Sequence, residues 1–274
     1  MKRPGHGFVS SAVALGLLLT FVGPLAAFAS PPAVNAPSVW RIPPTTTQLV
    51  VGIATTWESS EATLQRFIRR GRGWLAVGDP MPARLGAKGL VWGRGLSPRT
   101  NDMGDKSEGD DRSPAGVFRI GRSFGYDPAW KVRTKLRFTA VTKRDLFVED
   151  PTSSLYNSYV HLDHDPVTPF ETNQQMKQND PAHRLKILIE HNTTPAPIAG
   201  RGSAILFHIW RSNGTMPTAG CTSAASSSIE TLMTWLDPTK RPLYVLLPVD
   251  EYRTRAVGWG MPTVDPETLS TTFG

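Results

Sequence analysis

The chain has a single cysteine, Cys221, among 274 residues. One thiol cannot close an intramolecular disulfide, so no covalent framework supports the fold. Cys221 is therefore either a small buried hydrophobe, as free cysteines most often are, or a residue kept for its chemistry. After the N-terminal region no stretch approaches the ~20 apolar residues that a membrane span needs. There is no internal repeat. The basic residues are scattered and no recognition motif accompanies them, which argues against nucleic acid as a partner. Metal-ligand spacing is lacking as well. His161, Asp163, His164 and Asp165 crowd together, but two histidines at i and i+3 on an irregular loop match no zinc signature. Asp102, Asp105, Glu108, Asp110 and Asp111 lack the alternating order and central glycine of a calcium loop, and read as a solvated polar turn.

What is present begins with an export signal. Residues 1–29 combine a positive start at Lys2 and Arg3, a short apolar run from Val13 to Val22, and Ala27-Phe28-Ala29 as a small-x-small cleavage site before Ser30. No cysteine lies beside that site, so a lipid anchor is not expected. Cleavage leaves 245 residues and lowers the formal charge from +7 to +5. The mature chain is expected to be soluble and extracytoplasmic (periplasmic, wall-associated or secreted), with no stable membrane insertion. Basic charge outside the cytosol suits acidic polymers such as envelope glycans.

Residues 30–47 are rich in Pro, Ala and Thr and predict a linker or a surface-hugging arm. A domain over 48–249 follows, and 250–274 reads as a C-terminal tail. Strand patterns cover Gln48–Thr55, Trp74–Val77, Met81–Leu85, Ala115–Ile120, Leu185–Glu190 and Pro242–Leu247, with one or two more within Arg137–Val148. Glu61–Arg70 fits a short helix or a strand. Asp150–Ala182 is long and irregular. In Ser203–Trp210, Ile205, Phe207 and Ile209 alternate with Leu206, His208 and Trp210, so the latter three share a face. A helix follows Cys221: Ser227 and Glu230 have capping-box spacing, and Ile229, Leu232, Met233 and Leu236 form an apolar stripe. Many short strands and few helices predict a mainly β, sandwich-like domain.

Thiol chemistry needs a base or another group that favours the thiolate. His208 ends a buried-type strand, and the loop to Thr218-Ala219-Gly220-Cys221 contains Asn213-Gly214 and Pro217, so the chain can double back. That predicts His208 within hydrogen-bond reach of Cys221, the geometry of a base–nucleophile pair. Gly220 permits a sharp turn, and the amides of Gly220 and Cys221 are candidate oxyanion donors. Thr218 is a candidate to hold His208.

Three stretches resemble the L,D-transpeptidase (YkuD-type) family of bacterial cell-wall enzymes. Ser113-Pro114-Ala115-Gly116-Val117-Phe118-Arg119-Ile120 is similar to the family's Thr-Pro-x-Gly-x-Phe-x-Ile strand entry. Gly202 to His208 ends on a histidine that matches the catalytic one. Thr218-Ala219-Gly220-Cys221 is similar to the nucleophile motif Ser/Thr-His-Gly-Cys. Lys106–Asp110, Val148-Glu149-Asp150-Pro151 and Tyr156-Asn157 look like features of one bacterial subgroup. Ala219 replaces the motif histidine, Ser223 stands where the family has another polar residue, and the His208–Thr218 loop is shorter than the common pattern. The likeness covers roughly 48–249.

It implies a mainly β catalytic domain with mixed sheets and a few short helices, and neither metal nor organic cofactor. It also implies a cysteine acyltransferase that attacks the peptidoglycan stem peptide after its third residue, a diamino acid followed by D-Ala. The resulting thioester passes to an amine, giving a cross-link, or to water, as in an L,D-carboxypeptidase or amidase. The residues assigned to the site are Cys221, His208, Gly220 and Thr218.

Overall fold

β1 (Gln48–Ala54) is buried along its whole length, because it pairs on both edges and is covered on both faces. Its neighbours are β2 (Glu61–Arg70), antiparallel, and β12 (Leu243–Pro248), parallel. The computed structural model describes residues 40–99 and 104–263. The signal over 1–29, residues 30–39 of the Pro-rich stretch, Asp102 and residues 264–274 lie outside the described residues.

Glu61–Arg70, open between helix and strand, is a strand. It pairs with β3 (Gly73–Arg84), one continuous strand where Asp79-Pro80 had predicted two. The proline makes an irregularity instead of an end. The register jumps from Leu64↔Met81 to Arg66↔Val77, and the buried Gln65 amide donates to the Val77 and Gly78 carbonyls at 3.2 and 3.1 Å. A side chain thus satisfies the acceptors that the interrupted ladder leaves open.

Next in the chain come β4 (Leu90–Trp92) and β5 (Ser113–Gly125). β6 (Phe138–Ala140) pairs with β5, while β7 (Asp145–Val148) and β8 (Ser158–His161) form a separate two-stranded sheet. β9 (Leu185–Ile189), β10 (Leu206–Ile209) and β11 (Thr222–Ala224) complete the main sheet. Its order is β12-β1-β2-β3-β11-β10-β9-β5, and β5 returns to β12. Eight strands therefore close on themselves into a barrel-like sheet. β5 makes closure possible because it is long: Gly116–Arg119 pair with β12, and after a register shift Ile120–Gly125 pair with β9. The chain is mainly β with mixed sheets and few short helices, as expected; closure is the added feature.

Three helices, α1 (Pro169–Asn173), α2 (Ser226–Trp235) and α3 (Val249–Trp259), lie on this frame. The predicted stripe of α2 is buried at Ile229, Leu232, Met233 and Leu236, and the helix packs on β9 and β10. Its capping box is not formed. The helix starts two residues early, with Ala225 and not Ser227 as N-cap, and Glu230 takes Ser226 Oγ and Arg184 instead.

The chain after Val249 differs from the expected tail. α3 buries Tyr252, Ala256 and Trp259, ends at Gly260 with φ +69°, and sends the Tyr252 hydroxyl to the Pro262 carbonyl at 2.6 Å. Residues 40–42 lie against it, with Trp40 edge-on to Trp259 at 5.1 Å and Ile42 N–H donating to Trp259 O, while Pro43, Thr46 and Thr47 bond to Arg69 and Lys240.

Candidate active site

The site is built on the outer face of β9, β10 and β11. Phe207 points inward against Tyr244, with ring centroids 4.6 Å apart, and Thr222 donates to or accepts from the Tyr244 hydroxyl at 3.0 Å. The period of two then turns Leu206 and His208 to the opposite side. β10 and β11 are parallel with His208 opposite Ser223, so Cys221, two residues earlier, stands diagonally across from His208. On the other edge Lys186 of β9 faces His208 directly. Cys221, His208, Gly220 and Thr218 all line one cavity of about 370 Å³. Residues predicted from separate stretches of sequence are thus brought to one place.

The loop carrying Cys221 is held mainly through its backbone. Thr218 N–H donates to Leu85 O at 2.7 Å, and Ala87 N–H donates to Thr218 O at 2.9 Å. The Thr218 hydroxyl donates to Cys221 O at 2.7 Å and accepts the Gly220 N–H at 3.0 Å. Ser113 Oγ also donates to Cys221 O, at 3.2 Å, which joins the Ser-Pro stretch to the Cys221 loop. Two assignments change here. Thr218 braces the loop and not His208, and the Gly220 amide is spent on Thr218 rather than facing an oxyanion. Gly220 has φ +146°, and a Cβ there would meet Arg112 O at 3.0 Å, so glycine is required for the turn.

His208 is almost fully buried, and its Nδ1 lies 2.8 Å from the Ile209 carbonyl. A carbonyl only accepts, so Nδ1 carries the proton and Nε2 keeps its lone pair. Burial lowers His208 to about 4, and burial raises the Cys221 thiol to about 11, against a backbone N–H at Leu206 that favours the thiolate. The resting pair is a neutral imidazole and a neutral thiol. The Cys221 hydrogen bond runs to Ala204 O at 3.5 Å, not to the His208 ring.

Several contributors were not read from the sequence. His183 stacks on His208 with centroids 5.0 Å apart and planes at 13°. Tyr156-Asn157, noted only as subgroup features, stand behind the wall and bond to the residues Glu108 and Ala204 that line it. Asn157 Oδ1 accepts from Ala204 N–H at 3.1 Å, while its Nδ2 donates to the carbonyls of His191 and Asn192 at 3.0 and 2.9 Å. Ala204, at φ +51°, is thereby pinned where its carbonyl meets the thiol. Tyr156 and Ser203 both donate to Glu108. The polar turn is therefore less solvated than expected: Lys106 is 3 % exposed and paired with Asp110.

His161 pairs with Asp145 at 2.8 Å, His164 with Asp163 and Glu171 at 2.7 and 3.0 Å, and Asp165 with Arg144 at 2.7 Å. Among the described residues no group of three or more His, Cys, Asp or Glu is arranged to hold a metal ion, and no helix is long and apolar enough to cross a membrane.

No family model matches the chain, and no curated protein matches it. Among solved structures it is similar to the crystal structure of the helical cell shape determining protein Pgp2 from Campylobacter jejuni, at a TM-score of 0.33 and 14 % identity. That overlay covers 74 % of this chain and 48 % of the other, so the chain spans about half the length of that protein. A likeness this weak assigns no activity.

Proposed function

We propose that the protein is an exported cysteine acyltransferase of the L,D-transpeptidase type that acts on peptidoglycan stem peptides outside the cytosol. The observation that carries this reading is the pairing of β10 with β11. It sets His208, with its proton fixed on Nδ1, diagonally beside Cys221 on the wall of one cavity.

With both groups neutral at rest, His208 acts as a general base during attack and not as a counter-ion to a standing thiolate. The thiol leaves Ala204 O, and Nε2 takes its proton as Sγ bonds to the carbonyl carbon after the third stem residue. The carbonyl electrons move to oxygen, where the Cys221 amide is the donor we assign, since the Gly220 amide is committed to Thr218. Collapse breaks the C–N bond, and the protonated His208 delivers its proton to the leaving amine. The thioester then acylates an amine of another stem, or water.

The test is incubation of the mature chain with disaccharide-tetrapeptide, followed by mass spectrometry of protein and products. An acyl adduct on Cys221 with dimeric muropeptides is the expected result, and both should vanish in Cys221→Ala while the variant stays folded. Shortened monomers without dimers would place the protein among hydrolases using the same thioester. No adduct and no product from the unmodified chain would overturn the reading.

A further inference from the structure

Two lysines are buried on the wall of the cavity that holds Cys221, and they differ in one respect. Lys106, 3 % exposed, is ion-paired with Asp110 and donates to Ser107 O at 2.9 Å. Lys186, 2 % exposed, donates to Met176 O at 2.8 Å and has its ammonium 5.6 Å from the Tyr126 ring centroid, with no carboxylate at ion-pair distance among the described residues. Two neighbouring acids, Asp180 and Glu149, act on Lys186 through space without forming an ion pair with it. Asp180 is clamped by Arg211, whose Nε lies 3.0 Å from Oδ2, and by Ala182 N–H. Glu149 lies on the same cavity wall; the residue is exposed overall, but partial burial of its carboxyl and the nearby Glu108 hold its pKa above the usual carboxylate range.

An ammonium has three donors, so two remain after Met176. Burial lowers Lys186 to about 8, so it is still largely protonated at neutral pH. A buried cation with no carboxylate in contact costs stability, and such a cost is found where function requires it. Its place is informative: Lys186 is the direct strand partner of His208, and both line the cavity that holds Cys221.

We propose that Lys186 is the receptor for a substrate carboxylate, its ion pair being completed only when a peptide enters the cavity beside Cys221. This rests on the acyl-transfer reading for the identity of the peptide. In a stem cut after its third residue, the α-carboxylate of the departing residue stands one residue from the attacked carbonyl. A carboxylate on the side chain of the diamino acid is the other source of the same chemistry. Either would favour peptides that carry the free acid over amidated ones.

The experiment is calorimetric binding to the mature Cys221→Ala chain, which separates recognition from turnover. Three tetrapeptides are compared: the free acid, its C-terminal amide, and the side-chain carboxamide of the diamino acid. Amidating the recognised carboxylate should weaken binding roughly tenfold or more with Lys186 present, and less than about twofold in Lys186→Met. Lys186→Arg should keep most of the discrimination. The peptide whose penalty disappears in Lys186→Met identifies which carboxylate is read.

Equal binding of acid and both amides by the Lys186 chain would overturn the assignment without any variant at that position. So would a uniform loss across all three peptides in Lys186→Met, or no binding of the free acid. Discrimination that persists while the Cys221 chain forms no acyl-enzyme would leave the carboxylate site standing and remove the catalytic reading alone.

Discussion

At the scale of residues, the proposed acyl transfer turns on protonation states set by burial. Cys221 is only partly buried as a residue, yet burial raises its thiol to about 11. Relative to an ordinary thiol near 9.0, that change cuts the thiolate fraction at neutral pH roughly a hundredfold. Alkylation by iodoacetamide should therefore be slower than that of a small free thiol by about this factor at pH 7, and should still be rising between pH 9 and about 10.5. A rate near that of the free thiol at pH 7 would show a standing thiolate, and a concerted role for His208 would then be wrong. Cys221, His208 and the need for Gly220 were legible because each depends on near neighbours in the chain: a strand alternation and a turn. Lys186, His183 and Asn157 were not. Nothing local distinguishes a lysine in an apolar strand that will be buried opposite a histidine from one that will reach solvent.

At the scale of elements, periodicity predicted α2 and its buried stripe, and it placed His208 on the correct face of β10. α3 was missed. Its apolar residues Val249, Tyr252, Ala256 and Trp259 recur at helical spacing, and Asp250 and Glu251 occupy its first turn, where acids favour the helix dipole. That signal was present, but it was thin beside Arg253 and Arg255. The helix is secured from outside itself, through Trp40, the Ile42 amide, and the Trp74 indole, which donates to Gly260 O at 2.9 Å. Trp259→Ala should cost about 3–5 kcal/mol of unfolding free energy by urea denaturation, the range for removing a large buried aromatic. A loss below about 1 kcal/mol would mean that α3 behaves as the dispensable tail its composition suggested.

At the scale of the whole molecule, several histidines are held neutral. His191 is 1 % exposed; its Nδ1 accepts Arg94 N–H at 3.2 Å and its Nε2 donates to Arg201 O at 2.9 Å. Protonating Nδ1 would set one donor against another. His191 and His208 are both lowered to about 4 by burial. Because these folded values lie below the unfolded value near 6.5, the unfolded chain binds more protons in the interval. Stability from these groups is complete above pH 6.5 and is lost as pH falls through about 4. Each contributes on the order of 3 kcal/mol. Urea denaturation at pH 7.5, 5.5 and 4.5 should show that decline, and His191→Gln should flatten it. An unchanged slope in the variant would mean that His191 titrates equally in both states.

The sequence by itself determined which side chains could do chemistry and which face of its strand each would take, because alternation and turn geometry are local properties of the backbone. Tertiary structure alone decided that the sheet closes, since β5 meets β12 across more than a hundred residues. It also decided that thiol and imidazole rest uncharged. Desolvation is imposed by atoms from distant parts of the chain, so no reading along the chain registers it.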